Sequence, residues 1–238
     1  MATFVLVHGS WVGGWIWSKI RSGLEAAGHR VLAPSLTGLG DRHHLAGPDV
    51  GLDVHVRDIA NLIEWEDLDD VVLVGHSYGG MVITGVAAVV PDRIAQVVYV
   101  DAFAPRTAQA AFDLLPQLRE QFEASDDGSG WAVSPPDFGL LGITDEADLR
   151  RLTAKATALP TLTHTQPLGP GSEEVLKEVA VTYIQGAAET LFDETAADCA
   201  RRGFRLVTWP DANHALLVTH PDRLVTELLS VTSAPASR

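Results

Sequence analysis

The stretch Val71-Val72-Leu73-Val74-Gly75-His76-Ser77-Tyr78-Gly79-Gly80 decides how the rest of the chain is read. Four apolar, mostly β-branched residues run into G-x-S-x-G, and an apolar segment rich in small residues follows to Val90. That is the pattern of strand, sharp turn and helix. A serine in such a turn is pushed out at the strand end, and glycines on both sides let the neighbouring elements close around it. Ser77 is therefore the candidate nucleophile.

Working outward, residues 4–7 read as a strand buried on both faces, 15–27 as a helix capped by Gly28, 30–33 as a strand stopped by Pro34, and 52–65 as a helix. The helix after Ser77 spans 78–90 and ends at Pro91, and 94–100 is the next strand. Strict alternation of strand and helix predicts right-handed crossovers and a parallel sheet. From about Phe103 to Glu178 the alternation stops. Pro- and Gly-bearing loops at 126–130, 134–136, 160 and 167–171 separate helical patterns such as 107–118 and 145–159, and no strand is expected there. Strand 180–185, helix 192–202, strand 205–209 and helix 221–231 restore it, and the tail 232–238 is expected to fray. The expected fold class is α/β, a mainly parallel six-stranded sheet flanked by helices. Its core is 1–102 with 179–238, and a mainly helical cap is inserted over 103–178.

The 238 residues suit one folding unit, 46% hydrophobic and 20% charged, with no apolar run near the roughly 18 residues of a membrane span. The first strand follows Met1 without a basic leader, so a cytoplasmic location is expected. A lone Cys199 forms no intramolecular disulfide and is expected to be a small buried side chain on a helix. The formal charge of -14 excludes the basic stripe that nucleic acid binding needs. Gly38-Leu39-Gly40 lacks the third glycine of a dinucleotide fingerprint, and adjacent His43 and His44 converge poorly on one metal ion, so neither cofactor nor metal is expected. A polar, substrate-facing loop is the reading for that segment. The expected partner is a small molecule, and a homodimer stays open.

A serine hydroxyl needs a base, and the base needs an acid to fix its tautomer. In the derived fold the base belongs in the loop after the last strand and the acid after the strand before it. Trp209-Pro210-Asp211-Ala212-Asn213-His214 supplies His214, and Gly186-Ala187-Ala188-Glu189 supplies Glu189. Of the other histidines, His76 is expected to pack under the turn, His8 to order the first loop and His220 to cap a helix. His29, His55 and His164 have no assigned partner.

On these residues the sequence resembles an α/β-hydrolase of the group containing plant methylesterases and hydroxynitrile lyases. The resemblance rests on Val5-Leu6-Val7-His8-Gly9-Ser10-Trp11, Gly13-Gly14-Trp15-Ile16-Trp17, Gly75-His76-Ser77-Tyr78-Gly79-Gly80 and His214. It implies an oxyanion hole made of the backbone amides of Ser10 and Tyr78, and Tyr78 opens a helix whose first amides lack intrahelical partners. Two positions depart from the family pattern. Members most often carry Asp where Glu189 stands, which leaves Asp101, directly after the fourth strand, as the reserve acid or as a cap on the entry to the insertion. Asn213 stands where an Asp is frequent and is read as loop-shaping. The S-selective lyases carry Lys after the catalytic histidine and Thr after the first-loop histidine, and the R-selective ones carry Asn at the second place. Here Ala215 and Gly9 occupy those positions. The resemblance therefore implies a serine carboxylesterase acting through an acyl-enzyme. A lyase, or a non-catalytic receptor on the same fold, is the alternative that turnover would separate. Gly9 and Trp11 of the first loop and Trp131 and Phe138 of the insertion are the candidate pocket residues; the insertion also offers Phe112, Leu114, Leu115, Phe122, Leu140 and Leu141, and together they suit a small, apolar, uncharged ester.

Overall fold

A computed structural model describes residues 1–233. In chain order the elements are β1 (Thr3–Val7), α1 (Ser18–Ala26), β2 (Arg30–Leu32), α2 (Leu52–Trp65), β3 (Val71–Ser77), α3 (Gly79–Val89) and β4 (Ile94–Ala102). Then come α4 (Ala111–Leu114), α5 (Gln117–Ala124), β5 (Ala132–Val133), α6 (Glu146–Lys155), β6 (Leu159–Pro160), α7 (Leu162–Thr165) and α8 (Ser172–Glu178). The chain closes with β7 (Ala180–Gly186), α9 (Asp193–Arg201), β8 (Arg205–Trp209), α10 (Leu216–Thr219) and α11 (Pro221–Ser233). Residues 232 and 233 thus extend the last helix, and the rest of the tail expected to fray lies outside the described residues.

Six strands form one sheet in the order β2-β1-β3-β4-β7-β8, with every pair parallel. Strand alternation divides the side chains between two cores. Phe4 and Leu6 of β1, Val72 and Val74 of β3, and Val98 and Val100 of β4 meet Trp17, Ile20, Leu24, Leu224 and Leu228 on one face. Val5, Val7, Leu73, Val97 and Tyr99 meet Ile59, Ile63, Met81, Val82 and Val86 on the other. Both faces being covered, the strands read as continuous apolar runs. Cys199 is fully buried in α9.

Two features of this sheet position the site. First, α3 lies directly on β1 and the end of β4. A Cβ on Gly80 would run into the carbonyl oxygen of Phe103 and come within 2.9 Å of the Ala102 methyl, so only glycine allows the contact. Second, β4 runs two residues beyond the expected end. His76 pairs with Val100 and Ser77 with Ala102, so Asp101 is the extra residue of a bulge, with φ at 42°. Such a bulge re-aims a side chain at the sheet edge.

The segment between β4 and β7 departs from the expectation in two ways. Pro116 divides the helical pattern at 107–118 into α4 and α5. The helix expected over 145–159 stops at Lys155, and Leu159–Pro160 pairs antiparallel with Ala132–Val133 as a small second sheet. Strands this short carry too little alternation for the sequence to declare them. Phe112, Phe122, Val133, Leu159, Leu168 and Leu176 of this segment join the same core cluster as β3 and α3.

Candidate active site

Ser77 ends β3 at the carboxyl edge of the sheet with φ at 54°, the left-handed conformation of a tight strand-to-helix turn. Its Oγ lies 3.1 Å from Nε2 of His214, on the loop between β8 and α10. Nδ1 of His214 lies 2.7 Å from Oδ2 of Asp101. The other Asp101 oxygen accepts the backbone N–H of Gly186, the last residue of β7, at 3.0 Å. Asp101 is buried, so both its oxygens are committed. A carboxylate bonded to Nδ1–H leaves the lone pair of Nε2 facing the serine hydroxyl.

The histidine's acid partner is therefore Asp101 and not Glu189, which corrects the first assignment from sequence. The reason is the bulge in β4, which turns Asp101 toward the β8–α10 loop. Glu189, half-buried, lines the cavity in front of Ser77 instead, because Ala187 and Ala188 donate to the carbonyls of Trp209 and Ala212 and carry the chain past the histidine.

The surrounding groups hold this geometry. His76 lies against His214 with ring centroids 4.8 Å apart, and its Nε2 donates to the His214 carbonyl at 3.0 Å. Burial, helped by the neighbouring His214, pushes His76 down to about 3, so it is neutral. Asn213 Oδ1 accepts the Ala215 N–H at 3.0 Å and shapes the loop, as expected. His8 Nε2 accepts the Leu36 N–H at 3.0 Å, which makes its Nδ1 the donor to the Gly9 carbonyl at 2.8 Å and orders the first loop. Burial lowers His8 to about 4. The ring of Tyr78 is buried, and its hydroxyl meets Nδ1 of His55 at 2.9 Å, while Nε2 of His55 donates to the Thr37 carbonyl. Burial raises the Tyr78 hydroxyl far above its ordinary value.

In front of Ser77 lies a cavity of about 330 Å³. Gly9, Trp11 and Phe138, three of the residues named from sequence for the pocket, line it, and so does Ser10. Trp131 does not: its carbonyl accepts the Thr161 N–H beside the β5–β6 pair. Of the further aromatic and aliphatic residues named from sequence, Leu115, Phe122 and Leu141 reach the cavity, whereas Leu140 faces solvent. His43 and His44 are not among the lining residues. Sequence reasoning missed Phe103, Phe192, Val218 and His164 in the wall. Phe103 directly follows β4, a positional signal that was available, whereas Phe192 stands at the start of α9. His164 had none, since its place depends on how α7 packs. Among the described residues no lysine or arginine lines the cavity. Among the described residues no helix is long and apolar enough to cross a membrane.

Comparison with known proteins matches this architecture. A carbendazim hydrolyzing esterase from Nocardioides sp. (strain SG-4G) is 55% identical over 117 residues, 49% of this chain and 48% of its own length. Methylesterase 8 of Arabidopsis thaliana is 35% identical over 132 residues, 55% of this chain and 47% of its own. The chain thus spans about half the length of these curated relatives. Among solved structures, an extracellular alpha/beta-hydrolase from a Paenibacillus species superposes with a TM-score of 0.80 at 27% identity, covering 97% of this chain and 98% of that one. That protein is described as sharing structural and functional homology with tobacco salicylic acid binding protein 2. The sequence profile of the alpha/beta hydrolase family matches residues 4–227, and the chain belongs to that family.

Proposed function

We propose that this protein is a serine hydrolase of small, largely apolar, uncharged carboxylic esters, working through an acyl-enzyme. The observation that carries the reading is the continuous chain from Asp101 through His214 to Ser77, opening onto an apolar cavity. In the first half-reaction Ser77 Oγ attacks the ester carbonyl while its proton passes to His214 Nε2. Asp101 stabilises the imidazolium without taking a proton itself. The backbone amides of Ser10 and Tyr78 hold the oxyanion, each donor being worth about 3 kcal/mol of barrier. His214 then protonates the leaving alcohol, and water, activated by the same histidine, releases the acid.

The lack of lysine and arginine among the described residues of the cavity wall argues against anionic substrates, because a buried carboxylate would have no counter-ion there. Residues 103–178 act in this reading as the cap that encloses the substrate. The carbendazim hydrolyzing relative makes carbendazim a natural member of a first substrate panel, beside methyl and p-nitrophenyl esters. Wild type should hydrolyse short p-nitrophenyl esters and take up a fluorophosphonate on Ser77. Ser77→Ala should lose both, with a rate drop on the order of 10⁶-fold. Equal rates in the two proteins, or labelling at another residue, would overturn the assignment.

A further inference from the structure

The cavity wall contains a hydrogen-bond relay whose direction is set by its far end. Thr163 Oγ1 lies 2.6 Å from the carbonyl oxygen of Pro160 and 2.9 Å from Nδ1 of His164. A carbonyl only accepts, so the single hydroxyl proton of Thr163 goes to Pro160. The remaining lone pairs of Thr163 must then accept, which places a proton on Nδ1 of His164 and leaves Nε2 as a bare acceptor. Nε2 points at Ser10 Oγ, 3.4 Å away. His164 and Thr163 are both buried, and the imidazole ring stacks on Tyr78 and packs against Phe103, Phe112 and Phe122. In this apolar nest burial pushes His164 down to about 3, which keeps it neutral and its tautomer fixed. The Ser10 hydroxyl therefore donates to His164 and presents only lone pairs to the cavity, which Ser10 lines together with Ser77.

We infer that Ser10 Oγ, oriented by His164, is a specificity-determining acceptor that selects esters carrying an O–H or N–H donor one atom from the scissile carbonyl. The inference rests on the hydrolase reading for the place of that carbonyl. The backbone N–H of Ser10 is the donor assigned to the carbonyl oxygen, and its own side chain adds an acceptor only a few bonds away. A substrate with carbonyl and donor on neighbouring atoms meets both. One lacking the donor leaves the Ser10 lone pairs desolvated and unpaired, which is how a polar site rejects an apolar analogue. Ser10 touches the substrate, whereas His164 is a positioning residue that keeps the hydroxyl proton turned away from it.

The test compares kcat/KM for methyl 2-hydroxy-2-phenylacetate and methyl phenylacetate in wild type, Ser10→Ala, His164→Phe and the double variant. The hydroxy-to-deoxy ratio should fall ~10-fold in each single variant, largely in KM. It should fall no further in the double variant, because the two residues form one relay. The same ratio is read without turnover from the Kd values of the corresponding methyl ketones, with and without the hydroxyl, in the Ser77→Ala background. A wild-type ratio retained by Ser10→Ala, in kinetics or in binding, overturns the inference while leaving the hydrolase reading standing. Loss of the binding ratio with no ester turned over by any protein overturns the hydrolase reading and supports the acceptor. Should His164→Phe fail to fold, Ser10→Ala alone still decides.

Discussion

Asp101 and Glu189 show how one residue's backbone decides its role. Both are acidic residues at the carboxyl ends of neighbouring strands, yet only Asp101 reaches His214, at 2.7 Å, with its second oxygen on Gly186. Asp101→Asn would leave the shape intact but present the wrong tautomer of His214 to Ser77, and should lower kcat on the order of 10⁴-fold. Glu189→Gln should cost less than about 10-fold, as a cavity-wall change of one charge. Steady-state kinetics of the two variants on one ester ranks them, and the reverse ranking would return the acid's role to Glu189. From the chain alone Ser77 and His214 were legible because strand, turn and loop patterns are local. Asp101 could be named only as the reserve acid, since a bulge depends on the pairing of two strands and carries no signature in the residues that form it.

At the scale of elements, the junction of α3 with the ends of β1 and β4 is where fold and site share atoms. Gly80→Ala should destabilise the protein by about 1–3 kcal/mol as an overpacking substitution, and should also lower activity, because the displaced Phe103 backbone continues directly from Asp101. Gly28→Ala offers the contrast. Gly28 has φ at 86° with nothing within 4 Å of an added Cβ, and it caps α1 before β2 starts, away from the strand ends that carry Ser77 and Asp101. That change should cost about 1 kcal/mol of backbone strain with kcat untouched. Urea unfolding and ester kinetics on both variants separate the two effects, and a Gly80→Ala protein with unaltered activity would refute the coupling. Helix and strand order followed from periodicity throughout the sheet region. The β5–β6 pair did not, because strands of two residues have no period to read.

For the whole molecule, four buried histidines tie stability to pH. Burial lowers His8 to about 4 and His76 and His164 to about 3, against an unfolded value near 6.5, and it lowers His55 as well. Between those values the unfolded chain binds more protons than the folded one, so stability rises with pH and is lost as pH falls from about 6.5 toward the folded values. Each histidine contributes about 1.4 kcal/mol per pH unit within that window. Urea midpoints measured from pH 7 to 4.5 should fall steadily, and His164→Phe should show a slope smaller by one histidine's share. An unchanged slope would mean that His164 is not held neutral by its burial. The sequence by itself determined the parallel α/β architecture and the placing of Ser77 at the turn and His214 in the loop after the last strand, because hydrophobic period, turn glycines and loop order are properties of neighbouring residues. Only the tertiary structure decided which carboxylate serves His214, that Trp131 stands outside the cavity and that His164 stands within its wall. Those outcomes rest on strand pairing and packing between segments far apart in the chain. The turn at Ser77 is written in ten consecutive residues, whereas what surrounds it is assembled from every part of the fold.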